Sequence, residues 1–304
     1  MNANIQADVI SAMQLAGVTV AEPDRLRMDG VLCRFSTSSF DRHSKKRNGW
    51  ATIFTDGERP VVVFGDWSKG LQETILLGGS GAANPAERER QRIAIEQAKA
   101  ARASEIRARQ AAAVQSANSQ WNGSRPASEF HPYLMRKRIE PEGLRESGGS
   151  LLVPMRDSTG KLHNLQRIRA DGEKRFLRGG RVSGLYASIG RMGDHVLVSE
   201  GWATGKTLHT HTGLAVAVAF SAGNLVAVAE VIRAKYPAAR ITICGDNDEK
   251  PDGINTGVKA ATAAAAAVRG YLAIPPIPGD FNDYAAHCGT PEIIKAVSSE
   301  RIPN

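Results

Sequence analysis

Short apolar runs and helix-length segments alternate from Val196 to about Val268. The pattern predicts strands over 196–199, 214–219, 241–244 and 271–274, with helices over 202–211, 224–235 and 255–268 between them. Such alternation builds a small, mostly parallel sheet with helices on both faces. Within the last of these helices, the stretch Ala260–Ala267 carries side chains small enough to pack closely on the sheet. A closing helix starts near Pro291, with proline at its first position.

Upstream the texture differs. Residues 5–16 read as a short helix. Between Met28 and Ile75 short β-like runs are punctuated by the turn pairs Asp29-Gly30, Asn48-Gly49, Asp56-Gly57 and Gly65-Asp66, and Val61–Phe64 is the clearest strand. Gly78–Pro85 has linker composition. The segment 86–118, rich in Ala, Glu, Arg and Gln without Gly or Pro, predicts a long, mostly exposed helix that either crosses a surface or spaces two domains. From His131 a basic helical segment begins, and Leu151–Met155 with Leu162–Arg169 form a β-hairpin turned by Asp157-Ser-Thr-Gly160. The turn Asp171-Gly172 then leads into Lys174–Leu177. Four segments result: a small β-rich N-terminal module (1–78), a linker with a long helix (79–120), a basic α+β segment (121–190) and the α/β segment (191–304).

Composition narrows the partners. The 304 residues carry a formal charge of +8 and a pI near 9.6, which points weakly to an acidic partner such as nucleic acid. Three cysteines, Cys33, Cys244 and Cys288, lie far apart without a zinc-type spacing. They suit a reducing cytoplasm rather than a disulfide framework. The start of the chain has no signal-peptide pattern, and the apolar stretch Gly213–Ile232 is broken by Ser221-Ala-Gly-Asn224 and Glu230, so no membrane span is expected.

The chemistry gathers at strand ends. Glu200 follows the strand 196–199, and Asp246 and Asp248 follow 241–244. Ligands of open α/β sheets bind at that edge. On extended backbone Asp246 and Asp248 point the same way while Asn247 points elsewhere, so the pair suits one hard divalent cation. A bare Asp-x-Asp also caps helices. A third acidic cluster, Asp280-Phe-Asn-Asp283, comes later. Between Lys161 and Arg181 seven Lys/Arg face two acids, a density that favours a phosphate-binding ridge, with Arg167 and Arg169 on one strand face. Lys174, Arg175 and Arg181 belong to the same ridge. Gly201-Trp-Ala-Thr-Gly205-Lys206-Thr207 is one residue short of a phosphate loop, leaving Lys206 as a helix residue within reach of substrate phosphates. In the N-terminal module Lys45, Lys46 and Arg47 lie beside Trp50, among the aromatics Phe35, Phe40, Phe54 and Trp67. They form either a single-strand binding face or a small core with a solvated basic loop.

The ordered set Glu200-Gly-Trp-Ala-Thr204, Gly245-Asp-Asn-Asp248 and Asp280-Phe-Asn-Asp283 resembles the Toprim domain of bacterial-type DNA primases. It is most similar to primases of conjugative plasmids and satellite phages, whose first motif reads Glu-Gly-Tyr-Ala-Thr. Leu151-Leu-Val-Pro-Met155, Leu165-Gln-Arg-Ile168, Lys174-Arg-Phe-Leu177 and Gly184-Leu-Tyr186 resemble the other half of that catalytic core, and residues 28–75 resemble the N-terminal module of the group. The resemblance implies Mg²⁺- or Mn²⁺-dependent synthesis of short RNA primers from NTPs on single-stranded DNA, in plasmid, phage or mobile-element replication or transfer. It implies Glu200, Asp246 and Asp248 as catalytic and metal-holding acids, with Asp280, and Asp283 behind it, assisting. It also implies Arg167 and Lys174 as phosphate-holding positions. Family members often carry an N-terminal zinc ribbon; Cys33 and His43 are too few for one, so no zinc is expected. No Walker loop is present, so a helicase is expected as a separate partner. Two alternatives stay open: a Toprim nuclease using the same metal site, and a non-enzymatic single-strand binding factor.

Overall fold

The computed structural model describes residues 2–37, 47–55, 59–67, 71–77, 85–248 and 255–299. The chain divides into two compact units, Met1–Glu96 and Gln97–Asn304.

In the first unit, helix α1 (Asn2–Leu15) precedes an antiparallel sheet of β1 (Cys33–Phe35), β2 (Gly49–Phe54), β3 (Val61–Asp66) and β4 (Leu71–Leu76), ordered as in sequence. Alternation along the strands sends Phe35, Ala51, Ile53, Val62 and Phe64 to one face, where Val9 and Met13 of α1 cover them. Trp50 takes the opposite face and stacks on Trp67 at 5.8 Å, while the Arg34 guanidinium lies 4.3 Å from the Trp67 ring centre. The aromatic set read from sequence is therefore split between a core (Phe35) and an outer stack (Trp50, Trp67). Phe40 lies outside the described residues.

Helix α2 (Pro85–Asn122) runs across the division in sequence. Its end belongs to the second unit, where Ala117 and Trp121 pack on Leu152, Leu162 and Leu165.

The second unit holds two five-stranded sheets. One is antiparallel: β5 (Arg125–Pro126), β6 (Arg145–Ser147), β7 (Ser150–Arg156), β8 (Leu162–Arg169) and β9 (Lys174–Phe176) in sequence order, with the short α3 (Pro132–Lys137) between β5 and β6. The other sheet contains β10 (Ala187–Ile189), β11 (His195–Ser199), β12 (Ala215–Val218), β13 (Arg240–Cys244) and β14 (Tyr271–Ala273), in the order β10-β12-β11-β13-β14. Four of these strands are parallel; β10 joins the edge antiparallel to β12. The intervening and following helices are α4 (Trp202–Thr212), α5 (Leu225–Lys235), α6 (Thr256–Ala267), α7 (Phe281–Ala285) and α8 (Thr290–Ser298).

Both faces of the parallel sheet are covered, which is why β11 reads as an unbroken apolar run. Leu197 joins a core with Leu151, Met155, Trp202, Phe281 and Ile293, on the side of the antiparallel sheet. Its neighbours Val196 and Val198 join Val228, Ile232, Ala261 and Ala265 from α5 and α6. The alanine face of α6 comes close enough that a Cβ on Gly245 would lie 2.5 Å from that of Ala261. No helix among the described residues is long and apolar enough to cross a membrane.

Candidate active site

Parallel pairing sets Ser199 beside Cys244. The chain therefore leaves β11 and β13 side by side, into Glu200 and into Gly245-Asp246. A third acid arrives from a different direction. Asp280 caps α7, accepting the Asp283 amide at 2.8 Å, while the Asp283 carboxylate accepts the Asp280 amide at 3.3 Å. Main-chain bonds fix this loop against the β13 exit: Asn247 N to Gly279 O at 2.8 Å and Gly279 N to Asn247 O at 3.0 Å. The Asn247 side chain turns away from the acids and donates to Pro275 O and Ile277 O, both at 3.2 Å. The middle residue of the Asp-Asn-Asp triplet thus secures the turn that presents Asp280.

Glu200, Asp246 and Asp280 line one cleft of about 360 Å³, together with Lys174, Lys137, Arg136, Tyr133, Phe220 and Asp171. Burial pushes the Asp246 carboxyl up to about 8, with the charges of Glu200, Asp280 and Asp248 adding to it and Lys174 opposing. Glu200 is also raised, chiefly by burial; an amide bond from Ala222 opposes this, and Asp248 adds to it. Asp246 Oδ1 is buried without a hydrogen-bond partner. An orphaned carboxylate oxygen among mutually repelling acids is the donor set a hard divalent cation satisfies. Among the described residues no three His, Cys, Asp or Glu side chains are drawn into a ready-made cage. Mg²⁺ does not require one, since it keeps several waters and takes one or two carboxylates.

The remaining expected residues are placed as follows. Asp248 is exposed on the same loop and does not line the cleft. Lys174 does line it, and a Cβ on Gly201 would lie 3.7 Å from the Lys174 Nζ. Arg167 does not. Register pairs Ile168 with Lys174 and Arg167 with Arg175, and opposed residues share a face, so Lys174 and Arg167 project from opposite faces of the sheet. Arg167 donates to Gln120 Oε1 at 3.1 Å and Ser147 O at 3.2 Å, on the side covered by α2. Arg169 and Arg175 are both exposed and both paired with Glu173. Arg181 is partly exposed and outside the cleft lining. Lys206 is buried, with Nζ 2.7 Å from Glu142 and 3.5 Å from Glu140, so it is committed to an ion pair rather than turned toward a substrate. In the first unit Arg47 pairs with Glu22 at 3.4 Å and Trp50 lies in the outer stack; Lys45 and Lys46 fall outside the described residues.

The sequence reading missed Tyr133, Arg136, Lys137 and Asp171 as cleft residues. The basic run at the end of α3 was visible, but its target was not. Lys137 Nζ reaches Asp283 at 3.0 Å and Asp280 at 3.9 Å, across more than 140 residues of chain.

Residues 195–291 match the Toprim domain model. A DNA primase TraC of Escherichia coli is 32% identical over 259 residues, covering 82% of this chain and 24% of that protein. A second DNA primase TraC of Escherichia coli is 34% identical over 161 residues, covering 49% and 11%. The chain therefore spans a quarter or less of the curated relatives it matches. Among solved structures, the primase fragment of the bacteriophage T7 primase-helicase protein aligns at TM-score 0.44 and 16% identity, over 57% of this chain and 75% of that one. The RNA polymerase domain of Mycobacterium tuberculosis primase DnaG, in complex with a double-stranded DNA oligomer with an overhang, aligns at TM-score 0.41 and 16% identity, over 66% and 81%.

Proposed function

The chain carries a Toprim domain and resembles DNA primases of the plasmid type, and on that premise we propose that it synthesises short RNA primers on single-stranded DNA. The observation that supports this most directly is the cleft itself: Glu200, Asp246 and Asp280 face Lys174, and Asp246 Oδ1 lacks a partner.

Asp246 with Glu200 and Asp280 would hold the divalent cation, Mg²⁺ or Mn²⁺, and Asp248 stands close enough on the same loop to add its charge. When bound, the ion supplies Lewis-acid polarisation of the phosphate and charge neutralisation. The chain's own residues supply the rest. Lys174 sets a cation opposite the acids for the triphosphate. Arg136 and Lys137 extend that positive wall along α3. Burial of the acids keeps water from screening these charges. In the reaction the 3′-oxygen of one nucleotide bonds to the α-phosphorus of the next. The α–β phosphoanhydride bond breaks, pyrophosphate leaves, and the hydroxyl proton is lost to solvent. The basic surface that comes with +8 suits the template. A replicative helicase is the partner expected of such a reaction, in replication or transfer of a plasmid, phage or other mobile element.

The test is incubation of the purified chain with single-stranded DNA, NTPs and Mg²⁺. Short RNA products are expected from wild type, with a loss of about 100-fold or more in Asp246→Asn, since even outer-shell partners of metal ligands are worth 10–100-fold. No product across varied templates and metals would refute the reading, and nicking of DNA without NTPs would replace it with a cleaving Toprim enzyme.

A further inference from the structure

The outer face of the first unit's sheet takes no part in the cleft. Register sets Arg34, Trp50, Gly65 and Gln72 opposite one another in a row across its four strands. Position 65 suits glycine: an added Cβ would lie 2.9 Å from the Trp50 ring, so the indole rests flat against the bare backbone. Trp67 stacks on Trp50, and its own amide donates to Asn48 O at 3.0 Å, which fixes the residue where β3 ends. Trp50 is buried in this pile, but Trp67 stays 48% exposed. A large aromatic surface is thus held rigid and left open to solvent.

The charge on that face is one-sided. The only carboxylates in the four strands, Asp66 and Glu73, alternate onto the core side, Asp66 in step with Phe64 and Glu73 opposite it. Arg34 is the only charged strand residue on the outer side. The ion pairs of the described residues in this unit join Glu22 to Arg25 and Arg47 and Asp29 to Arg27, so Arg34 meets the Trp67 ring and no acid. A planar cation on an indole, with no carboxylate beside it, complements a ligand made of flat rings strung on negative charge.

We propose that Trp67, Trp50 and Arg34 form a stacking platform for single-stranded DNA, taking a base on the open indole and the flanking phosphate on the guanidinium. Residues 1–78 contain nine Lys/Arg and nine Asp/Glu, so no excess of charge draws the strand to this unit. Stacking carries the contact, which makes it tolerant of sequence and selective for unpaired bases. The platform does not depend on the chemistry assigned to the cleft, because binding requires neither metal nor nucleotide.

The test uses the full chain and a fluorescein-labelled oligothymidylate in EDTA, followed by anisotropy. Trp67→Ala is expected to raise Kd about tenfold, the size of one base stack, while Trp67→Phe recovers most of the affinity. Arg34→Gln gives a smaller rise. A duplex of matching length, whose bases are already stacked, should change by less than about twofold in Trp67→Ala. Oligothymidylate should also quench indole emission more in wild type than in Trp67→Phe, a readout that holds even where the alanine variant loses its fold. Equal Kd values for wild type and Trp67→Ala, together with equal quenching in wild type and Trp67→Phe, overturn the inference. So does an equal loss on duplex and single strand. A change of oligomeric state in Trp67→Ala with DNA affinity intact overturns it too, and makes the face a contact between copies of the chain. Primer synthesis is measured separately, so the failure of either reading leaves the other standing.

Discussion

Asp246 is the residue on which the site's electrostatics turn. A carboxyl raised to about 8 in the folded state and near 4 when unfolded holds its proton more tightly in the native protein. Its contribution to stability is therefore full below the unfolded value and lost as pH rises toward 8. Metal-free protein is expected to lose Tm between pH 5 and pH 8, and Asp246→Asn to flatten that loss, melting at least about 2 °C higher at pH 8. Millimolar Mg²⁺ should raise the wild-type Tm at pH 8 and leave the variant's unchanged; an equal response in both would remove Asp246 from the ion's ligands. Gly257 makes a second residue-scale prediction. It lies in the first turn of α6, where alanine would ordinarily gain about 1 kcal/mol. An added Cβ there would sit 2.4 Å from the Asp246 carbonyl oxygen. Gly257→Ala is expected to lower both Tm and primer synthesis, against the helix propensity. The strand-tip acids were legible because strand ends are visible in sequence. Lys206 was misjudged because its partners, Glu140 and Glu142, come from a loop more than 60 residues away. Lys137 was overlooked for the same reason.

Among the elements, the β7–β8 hairpin is tied by one carboxylate. Asp157 accepts from the Thr159 hydroxyl and amide, from the Lys161 amide and from His163 at 2.7 Å. Burial pushes its carboxyl up, but the Thr159 and His163 bonds and the amides outweigh that and hold it well below the usual range. A depressed carboxyl stabilises the fold above the unfolded value and loses that effect as pH falls through the folded one. Asp157→Ala should cost about 1–2 kcal/mol at neutral pH, and the gap from wild type should narrow in acid; thermal melts from pH 7 to pH 2 would show it. The hairpin, the long helix and the alternating strands and helices followed from periodicity and turn residues. The three-residue β10 carried too little pattern to be seen. Periodicity also fixed which residues share a face within β8, but not how β8 meets β9. That depends on the register across the Ala170–Glu173 turn, and it places Arg167 and Lys174 on opposite faces.

At the scale of the whole molecule, each hydrophobic cluster of the described residues keeps to one unit. One draws on residues 5–77, and the others on residues between 117 and 297. A fragment spanning 97–304 is therefore expected to fold alone, with a cooperative melt and the near-UV signature of its buried Trp202. A fragment without a cooperative transition would show that the second unit needs the first. The α/β half was readable because parallel strands buried on both faces leave a strong apolar rhythm, whereas the outer stack of Trp50, Trp67 and Arg34 depends on strand pairing that no local pattern encodes. One small contact in the second unit has a mechanical meaning. Arg156 and Tyr186 exchange both main-chain bonds, each at 3.0 Å. Arg156 ends β7, and Tyr186 immediately precedes β10, so this bridge adds a main-chain link between the sheet bearing Lys174 and the sheet bearing the acids. Beside the side-chain core that the two sheets share, the jaw of the cleft is thus also pinned by a main-chain pair whose bonds do not depend on which side chains those two positions carry.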